Sequence, residues 1–243
     1  MTFLAKIKAL FKFPRKVFYK ITALPKFPLK VFHTLKQNYE NKFYTAKGYN
    51  QISNATEDNR YPEIFAYCAN LLKNKTENIT ILSFGCSVGK ECFSLRNYFP
   101  ESAIIGYDIN EENINAANTR NTDLKITFYA TKKEVFNRVY DLVFAMSVLC
   151  RWPQTQGKKH CGKIYAYDQF KKQIDELDPL LKAGGLLIIY NANFRFTDTE
   201  ASKKYDPLVI PEYSNSGFVT KFDRANNYLE EQAYPYVIFK KRI

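Results

Sequence analysis

The sequence has few cysteines and histidines and no long hydrophobic run. Its five cysteines are odd in number and lack CxxC spacing, so neither a disulfide framework nor a zinc ribbon is expected. No apolar run reaches the roughly 20 residues of a membrane span or the length of a signal-peptide core. These absences predict a protein of a reducing, cytoplasmic compartment.

The length and composition suit one folded domain. A chain of 243 residues is long enough for one well-buried α/β domain and too short for two ordinary domains with linkers. Hydrophobic residues make up 46% and aromatic residues 16%, which excludes a disordered chain. From about residue 60, apolar runs alternate with segments of helical periodicity. This alternation predicts βαβ units in a sheet that is covered by helices on both faces.

The predicted elements follow one another in a regular order. Strands are expected at 79–84, 103–107, 125–129, 140–146 and 186–191, with an antiparallel C-terminal pair at 217–222 and 235–241. Helices are expected at 61–73, 90–98, 111–120 and 170–181, the last of them ending at two glycines, 184 and 185. The predicted fold class is therefore α/β: a Rossmann-like, mostly parallel seven-stranded sheet, preceded by an amphipathic helical arm.

Acidic residues are missing from the first 36 positions, which hold nine of the 36 Lys and Arg residues. The remaining 27 basic residues face all 24 acidic ones, so the rest of the chain is nearly balanced in charge. A basic motif, KFPRKVF at 12–18, returns as KFPLKVF at 26–32 with apolar residues at helical spacing. We therefore divide the chain into a basic amphipathic arm (1–36), a linker (37–59) and one domain (60–243).

An arm of this kind favours binding in the plane of an anionic membrane, where each basic residue contributes about 1 kcal/mol. Three other interpretations stay open: an arm that packs on the body or on a second subunit, an arm that binds nucleic acid, and a targeting presequence. We expect the membrane surface, with the protein held peripherally at its inner face. Nucleic acid is the weaker expectation, and the sequence does not fix the oligomeric state.

A glycine-punctuated turn follows the first predicted strand, in the stretch ILSFGCSVGKE (81–91). Gly85 and Gly89 let the backbone approach a ligand closely, and the next helix offers free N–H groups. The spacing matches neither GxGxxG nor the P-loop pattern. Asp108, at the end of the second strand, is placed to accept hydrogen bonds from ribose hydroxyls. A nucleoside ligand and a purely structural turn both stay open on this pattern.

Four motifs in sequence order resemble the class I S-adenosylmethionine-dependent methyltransferases. They are ILSFGCSVG (81–89), IIGYDIN (104–110), YDLVFAMSVL (140–149) and LDPLLKAGGLLIIY (177–190). The resemblance extends over roughly residues 60–243, and its GCS loop also looks like that of the chemotaxis-receptor glutamate methyltransferases. Two positions depart from the family: Ser83 stands where an acid is frequent, and Ser87 where a glycine is common.

The resemblance implies S-adenosylmethionine as the cofactor and assigns residues to it. The loop would wrap the methionine part, Asp108 would hold the ribose hydroxyls, and Ile109 would lie against the adenine. Residues after the third strand would approach the adenine edge, and residues at the end of the fourth would border the sulfonium. The complete set is Phe84, Gly85, Cys86, Ser87, Gly89, Asp108, Ile109, Ala130, Thr131, Ala145 and Met146.

Residues after the fourth strand are the candidates for binding the acceptor: Ser147, Arg151, Trp152, Lys158 and Lys159. His160, in the polar stretch QTQGKKHCGK (154–163), is a candidate general base because imidazole titrates near neutral pH. An exposed loop position stays open as the simpler interpretation of His160. Cys150, His160 and Cys161 lack a fourth ligand at any usual spacing, so no metal site is expected.

These features together predict an S-adenosylmethionine-dependent methyltransferase that O-methylates an acceptor at a membrane surface. A lipid-linked glycan, an envelope saccharide or a lipid head group would fit. Protein carboxyl methylation is the alternative that the GCS loop suggests. A non-catalytic, methyltransferase-like scaffold recruited through the arm also stays open. The tetrapeptide NPP[YF] is absent, so nothing favours methylation of a base amino group.

Overall fold

Strands and helices alternate through most of the computed structural model, which describes residues 44, 46–75 and 78–243. The predicted arm, 1–36, lies outside these residues. The strands within them are β1 (Thr80–Phe84), β2 (Ala103–Tyr107), β3 (Ile126–Tyr129), β4 (Tyr140–Met146), β5 (Leu181–Tyr190), β6 (Tyr205–Leu208) and β7 (Ile238–Lys241). The α-helices within them from Pro62 onwards are α1 (Pro62–Leu71), α2 (Lys90–Tyr98), α3 (Glu111–Arg120), α4 (Lys132–Phe136) and α5 (Tyr167–Leu177).

Within the described residues the strands form one seven-stranded sheet in the order β3-β2-β1-β4-β5-β7-β6. The strands β3, β2, β1, β4 and β5 run parallel to one another, and β7 is antiparallel to both β5 and β6. The predicted fold class is confirmed. The strand order reverses between β1 and β4, and in open α/β sheets ligands bind at the carboxyl ends of the strands beside such a reversal. Residues 50–243 make up this compact unit.

The central strand β4 is buried along its whole length because helices cover both faces of the sheet. Its side chains alternate between two hydrophobic clusters. Val143 and Ala145 join one cluster with the buried face of α5, whereas Leu142 and Phe144 join the other with the buried residues of α1. This alternation explains why the sequence of β4 is apolar at every position except Asp141.

An antiparallel strand pair was predicted near the C-terminus and is present, but one of its two predicted strands is wrong. The segment 217–222 is not a strand; β7 pairs instead with β6, at Tyr205–Leu208, and on its other side with β5. The backbone N–H of Phe222 donates instead to the carbonyl of Asn193 (2.8 Å), which holds this segment beside the carboxyl end of β5.

The predicted end of the last helix was also wrong. Helix α5 stops at Leu177, a 3-10 turn covers Asp178–Leu180, and Gly184 and Gly185 lie inside β5. Proline in that turn cannot supply the N–H that a continuing helix needs. An added Cβ at Gly185 would lie 2.9 Å from the carbonyl oxygen of Asp141, so this glycine serves the close approach of β4 and β5.

A buried carboxylate fixes the amino-terminal edge of the central strands. Asp141 accepts hydrogen bonds from Lys75, from Lys182 (2.9 Å) and from the backbone N–H of Thr80 (2.8 Å). Burial raises the pKa of Asp141, but these bonds outweigh it and hold the pKa at about 2. The charged form of Asp141 therefore stabilises the fold at neutral pH.

Candidate active site

The loop between β1 and α2 turns through two glycines with left-handed backbones, Gly85 (φ +82°) and Gly89 (φ +85°). A Cβ at Gly85 would lie 2.3 Å from Cγ2 of Val148, and one at Gly89 would lie 2.9 Å from the ring of Phe128. Larger residues would therefore be strained at both positions and would collide with Val148, which follows β4, or with Phe128 in β3. The two glycines let the loop bend back over the carboxyl end of β1, as the sequence predicted.

Asp108 is tied directly to this loop. One carboxylate oxygen accepts from the backbone N–H of Ser87 (2.8 Å), and the other accepts from the N–H of Asn110 (2.8 Å) and from Nδ2 of Asn113 (3.3 Å). A carboxylate offers about four acceptor positions, so lone pairs remain for a ribose hydroxyl. Burial raises the pKa of Asp108, and the three hydrogen bonds oppose that rise.

The other predicted cofactor residues lie at or just after the carboxyl ends of β1 to β4. Phe84, Cys86, Ala145 and Met146 are buried, with Phe84 stacked on Tyr107 (5.3 Å between ring centroids). The fully buried side chain of Ala145 lies in the core, so this residue can offer a ligand only backbone atoms. Residues after β2 and β3 are more accessible: Ile109, Ala130 and Thr131.

Part of the predicted linker is bonded to the cofactor side of the body. Asn54 accepts from Nδ2 of Asn113 (3.2 Å), so it joins the hydrogen-bond network around Asp108. Asn59 donates its N–H to Ser94 (2.7 Å) and accepts from the hydroxyl of Tyr98 (2.8 Å). The polar composition of 50–59 is typical of a linker. The hydrogen bonds of Asn54 and Asn59 to the body follow no periodic pattern, so the sequence could not predict them.

A second cluster of polar residues lies at the carboxyl ends of β4 and β5. Ser147 (φ +57°) and Asn191 (φ +53°) directly follow these strands, and both adopt the left-handed conformation that costs non-glycine residues energy. The hydroxyl of Ser147 accepts from Nδ2 of Asn191 (2.9 Å) and shares a hydrogen bond with the hydroxyl of Tyr61 (2.7 Å). Strained residues held by mutual hydrogen bonds are typical of functional sites.

Tyr61 and Asn191 of this cluster line an open cleft of about 490 Å³, a size typical of small-molecule sites. The lining combines aromatic rings, amides, two carboxylates and one arginine: Arg60, Tyr61, Glu63, Tyr190, Asn191, Glu212, Tyr213, Ser214, Asn215 and Phe218. None of these ten residues belongs to the site residues predicted from the sequence. They come from three separate stretches of the chain that only the fold brings together.

The residues predicted to bind the acceptor are dispersed. Ser147 lies beside the cleft, and Trp152 packs edge-to-face on Phe218, which lines it (5.1 Å between centroids). Arg151 is completely buried, so its guanidinium lies in the interior rather than on a surface that an acceptor can reach. Lys158 and Lys159 are exposed, and the ammonium of Lys159 lies over the ring of Tyr228 (5.0 Å).

His160 occupies an exposed loop that pairs with the C-terminal segment. Its backbone bridges Asn227, and its Nδ1 accepts from the N–H of Gly162 (3.3 Å). His160 is not among the described residues that line the cleft. Its role as a base stays a prediction without a supporting contact. Within the described residues, no group of three or more His, Cys, Asp and Glu side chains is arranged to hold a metal ion.

A carboxylate that the sequence analysis did not assign lies under the glycine loop. Ser83, at the end of β1, donates its hydroxyl to Glu91 Oε1 (2.7 Å) in the first turn of α2. Burial raises the pKa of Glu91 to about 7, against the bond from Ser83 and the positive charge of Arg60. Glu91 is the last residue of the stretch ILSFGCSVGKE, but nothing in the sequence indicates that its carboxylate bonds the hydroxyl of Ser83.

The loop, the acid at the end of β2 and the strand order all match one group of enzymes. A family described as "Methyltransferase domain" matches residues 75–232, more than half of the chain. The chain belongs to the class I S-adenosylmethionine-dependent methyltransferases. S-adenosylmethionine is accordingly its cofactor. The described residues fit it: Gly85 and Gly89 place no side chain in the loop, and Asp108 keeps one acceptor position for the ribose.

The chain is similar to several solved structures at low sequence identity. The plantazolicin methyltransferase BpumL, in complex with SAH, is 19% identical over 76% of this chain and 60% of that one, with a TM-score of 0.39. Magnesium protoporphyrin IX methyltransferase (ChlM) from Synechocystis PCC 6803, with bound SAM, is 14% identical over 75% and 77%, with a TM-score of 0.47. WbdD is 17% identical over 76% and 40%, with a TM-score of 0.44.

The methyltransferase thus spans about 60% of the plantazolicin enzyme to which it is similar. No curated protein matches its sequence. Among the described residues, no helix is both long and apolar enough to cross a membrane.

Proposed function

We propose that this methyltransferase O-methylates a hydroxyl-bearing acceptor that it meets at a membrane surface. The observation that carries the proposal is the cleft lined by the hydroxyl-bearing Tyr61 and the amide-bearing Asn191, both of which are bonded to Ser147 at the carboxyl end of β4. In the family to which the chain belongs, the methyl donor binds at the same edge of the sheet. An acceptor in the cleft would therefore lie next to the sulfonium.

The polar wall is suited to orienting an acceptor hydroxyl. Asn191 donates to Ser147, and its Oδ1 accepts from the N–H of Phe218 (3.1 Å), so both ends of this amide are fixed. Burial raises the pKa of Tyr61, so its phenol stays protonated at neutral pH. One proton lies between Tyr61 and Ser147, and the other hydroxyl proton of this pair is free to bond the acceptor oxygen.

Alignment of the acceptor hydroxyl with the methyl donor can supply much of the rate enhancement. S-adenosylmethionine would supply an activated methyl group: as an aligned acceptor oxygen forms the new carbon–oxygen bond, the carbon–sulfur bond would break and leave its electron pair on sulfur. The hydroxyl proton must leave as the new bond forms, and the cleft carboxylates of Glu63 and Glu212 are groups that can accept it. His160 was the base that the sequence suggested, whereas these two carboxylates line the cleft itself.

The proposed membrane surface is supported by the charge of residues 1–36, with nine basic and no acidic residues. Basic residues near an anionic surface contribute about 1 kcal/mol each, and phenylalanines inserted beside them add apolar burial. We propose a peripheral position at the inner face of the membrane, where a lipid-linked glycan, an envelope saccharide or a lipid head group would be the acceptor.

Transfer of a labelled methyl group from S-adenosylmethionine to a cell-envelope extract tests the reaction. A methyl ether survives mild alkali, whereas a methyl ester is hydrolysed to methanol. The proposal expects an alkali-stable product. An alkali-labile product bound to protein would instead establish carboxyl methylation, the alternative that the sequence suggested.

Flotation with vesicles tests the membrane surface separately. The full-length protein is expected to float with vesicles that contain anionic lipid and to stay behind with neutral ones. A variant with the lysines of 1–36 changed to glutamine should not float. Retention of the full-length protein on RNA but not on anionic vesicles, lost as salt is raised, would contradict the membrane proposal.

A further inference from the structure

An exposed aromatic ring lies at the rim of the cleft. Phe218 lines the cleft and is 54% exposed, although burial of a phenylalanine ring stabilises a folded protein. The half-buried ring of Trp152 packs edge-to-face on it, with 5.1 Å between the two centroids. Two neighbouring rings that stay partly accessible beside a cleft offer apolar contact area to a ligand.

The backbone of Phe218 is fixed by Asn191, the buried amide that directly follows β5. The N–H of Phe218 donates to Oδ1 of Asn191 (3.1 Å), and Nδ2 of the same amide donates to Ser147 (2.9 Å). The preceding Gly217 is left-handed (φ +79°), and an added Cβ there would lie 2.2 Å from Oδ1 of Asn191. The exposed ring is therefore carried on a closely packed backbone, one side chain away from the carboxyl end of β4.

The segment that carries Trp152 is fixed by a second buried amide, Asn193. Its Oδ1 accepts from the N–H of Arg151 (2.7 Å), and its Nδ2 donates to the carbonyl of Thr220 (2.8 Å). Trp152 directly follows Arg151, and Thr220 follows Phe218 by two positions, so one side chain ties together the segments of both rings. Rings held in this way lose little freedom when a ligand binds, which favours affinity.

The polar groups beside Phe218 are suited to hydroxyl groups. Glu212, Ser214 and Asn215 lie on the same segment, are exposed and line the same cleft. Their carboxylate, hydroxyl and amide groups can accept and donate the hydrogen bonds that several hydroxyls require. The wall therefore presents an apolar ring with hydrogen-bonding groups on one side of it.

The charge of the cleft disfavours a phosphate. Among the described residues that line the cleft, Arg60 is the one cation, and its guanidinium lies over the ring of Tyr61 (5.3 Å to the centroid). Glu63 and Glu212 bring two carboxylates to the same lining. A neutral ligand avoids the repulsion that these carboxylates would exert on a phosphate.

A saccharide ring combines the properties that this wall matches. Its C–H groups form an apolar face that can lie on an aromatic ring, its edge carries hydroxyls, and an unmodified ring is neutral. We propose that Phe218, supported by Trp152, stacks on a neutral saccharide ring that carries the acceptor hydroxyl. The inference rests on the proposed O-methylation, and among the acceptors named there it selects a saccharide over a phosphate-bearing lipid head group.

Trp152 is the only tryptophan of the chain, so its fluorescence reports on this wall directly. The full-length protein, with S-adenosylhomocysteine present, is titrated with the methyl glycosides of glucose, galactose, mannose and N-acetylglucosamine, and separately with glycerol 3-phosphate. At least one glycoside is expected to change the emission saturably, whereas glycerol 3-phosphate should not.

Variants of Phe218 test the stacking itself. Phe218→Leu should weaken binding of that glycoside at least about tenfold, because leucine lacks a planar face, and Phe218→Tyr should keep it within about twofold. Leu124→Ala removes an exposed apolar side chain that does not line the cleft, so it is the control and should behave as wild type. Because Phe218 is exposed, its variants are expected to fold, and circular dichroism verifies this.

Three results would overturn the inference: no saturable change with any glycoside, binding of glycerol 3-phosphate in their place, or equal affinity of Phe218→Leu and wild-type protein for the glycoside. These titrations require no methyl transfer, so they are separate from the test of the proposed reaction. Saccharide binding by a protein that transfers no methyl group would contradict the proposed O-methylation alone. Alkali-stable methylation of a lipid head group without saccharide binding would contradict this inference alone.

Discussion

Gly85→Ala is expected to damage the cofactor loop by two additive effects. Its backbone is left-handed (φ +82°), which costs an alanine about 1–2 kcal/mol. The new methyl carbon would also lie 2.3 Å from Cγ2 and 2.7 Å from Cβ of Val148, so the loop must shift. Overpacking of this kind costs about 1–3 kcal/mol, which gives about 2–5 kcal/mol in all.

The matched control is Gly157→Ala. This glycine is also left-handed (φ +68°), but an added Cβ would meet nothing within 4 Å. It should therefore cost only the backbone part, about 1–2 kcal/mol. Urea denaturation measures both losses, and calorimetry with S-adenosylmethionine should show weakened binding for Gly85→Ala alone. Equal losses of stability, or unchanged cofactor binding by Gly85→Ala, would refute the steric account of the loop.

Two further predictions concern the fold and the cleft. The pKa of Asp141 in the folded protein is about 2, below its usual value. The charged carboxylate therefore stabilises the fold above about pH 4, and this contribution is lost as the pH falls towards 2. Asp141→Asn should lower the free energy of unfolding by about 1–3 kcal/mol at pH 7 and remove its dependence on pH between about 4 and 2. A stability curve unchanged by Asp141→Asn would contradict this. Tyr61→Phe should slow methyl transfer at least about tenfold with cofactor affinity unchanged, because alignment of the acceptor is lost. Tyr67→Phe, on helix α1, which begins directly after Tyr61, is its control, and an equal loss in both variants would count against the role of Tyr61.

The strands that hold the cofactor could be predicted from the sequence because they are buried on both faces. Helix α2, strands β2 and β4 and helix α3 occur at the predicted positions, since uninterrupted apolar runs and amphipathic stretches mark them without reference to the rest of the chain. The loop glycines and Asp108 were predictable for a related reason. Their spacing is dictated by a strand, a tight turn and a helix that are adjacent in sequence.

The other features of the fold and of the candidate site could not be predicted, because they depend on contacts between residues that are distant in sequence. β6 is a four-residue edge strand containing Pro207, and a proline demotes such a run in any sequence-based assignment. The bonds of Asn54 to Asn113, of Tyr61 to Ser147 and of Ser83 to Glu91 join side chains that no periodic pattern relates. The exposed position of His160 likewise follows from the path of its loop. Residues that are neighbours in sequence therefore revealed the glycine loop but not the cleft beside Ser147.

Titration of the full-length protein with S-adenosylmethionine and S-adenosylhomocysteine, beside Asp108→Ala, tests the central claim most directly. The account predicts micromolar binding that Asp108→Ala weakens at least about tenfold, because a hydrogen bond to a charged group contributes about 1.5–3 kcal/mol. Circular dichroism of the variant verifies that it is folded. A folded wild-type protein that binds neither ligand would contradict the assignment of a working methyltransferase site, and would favour the scaffold alternative.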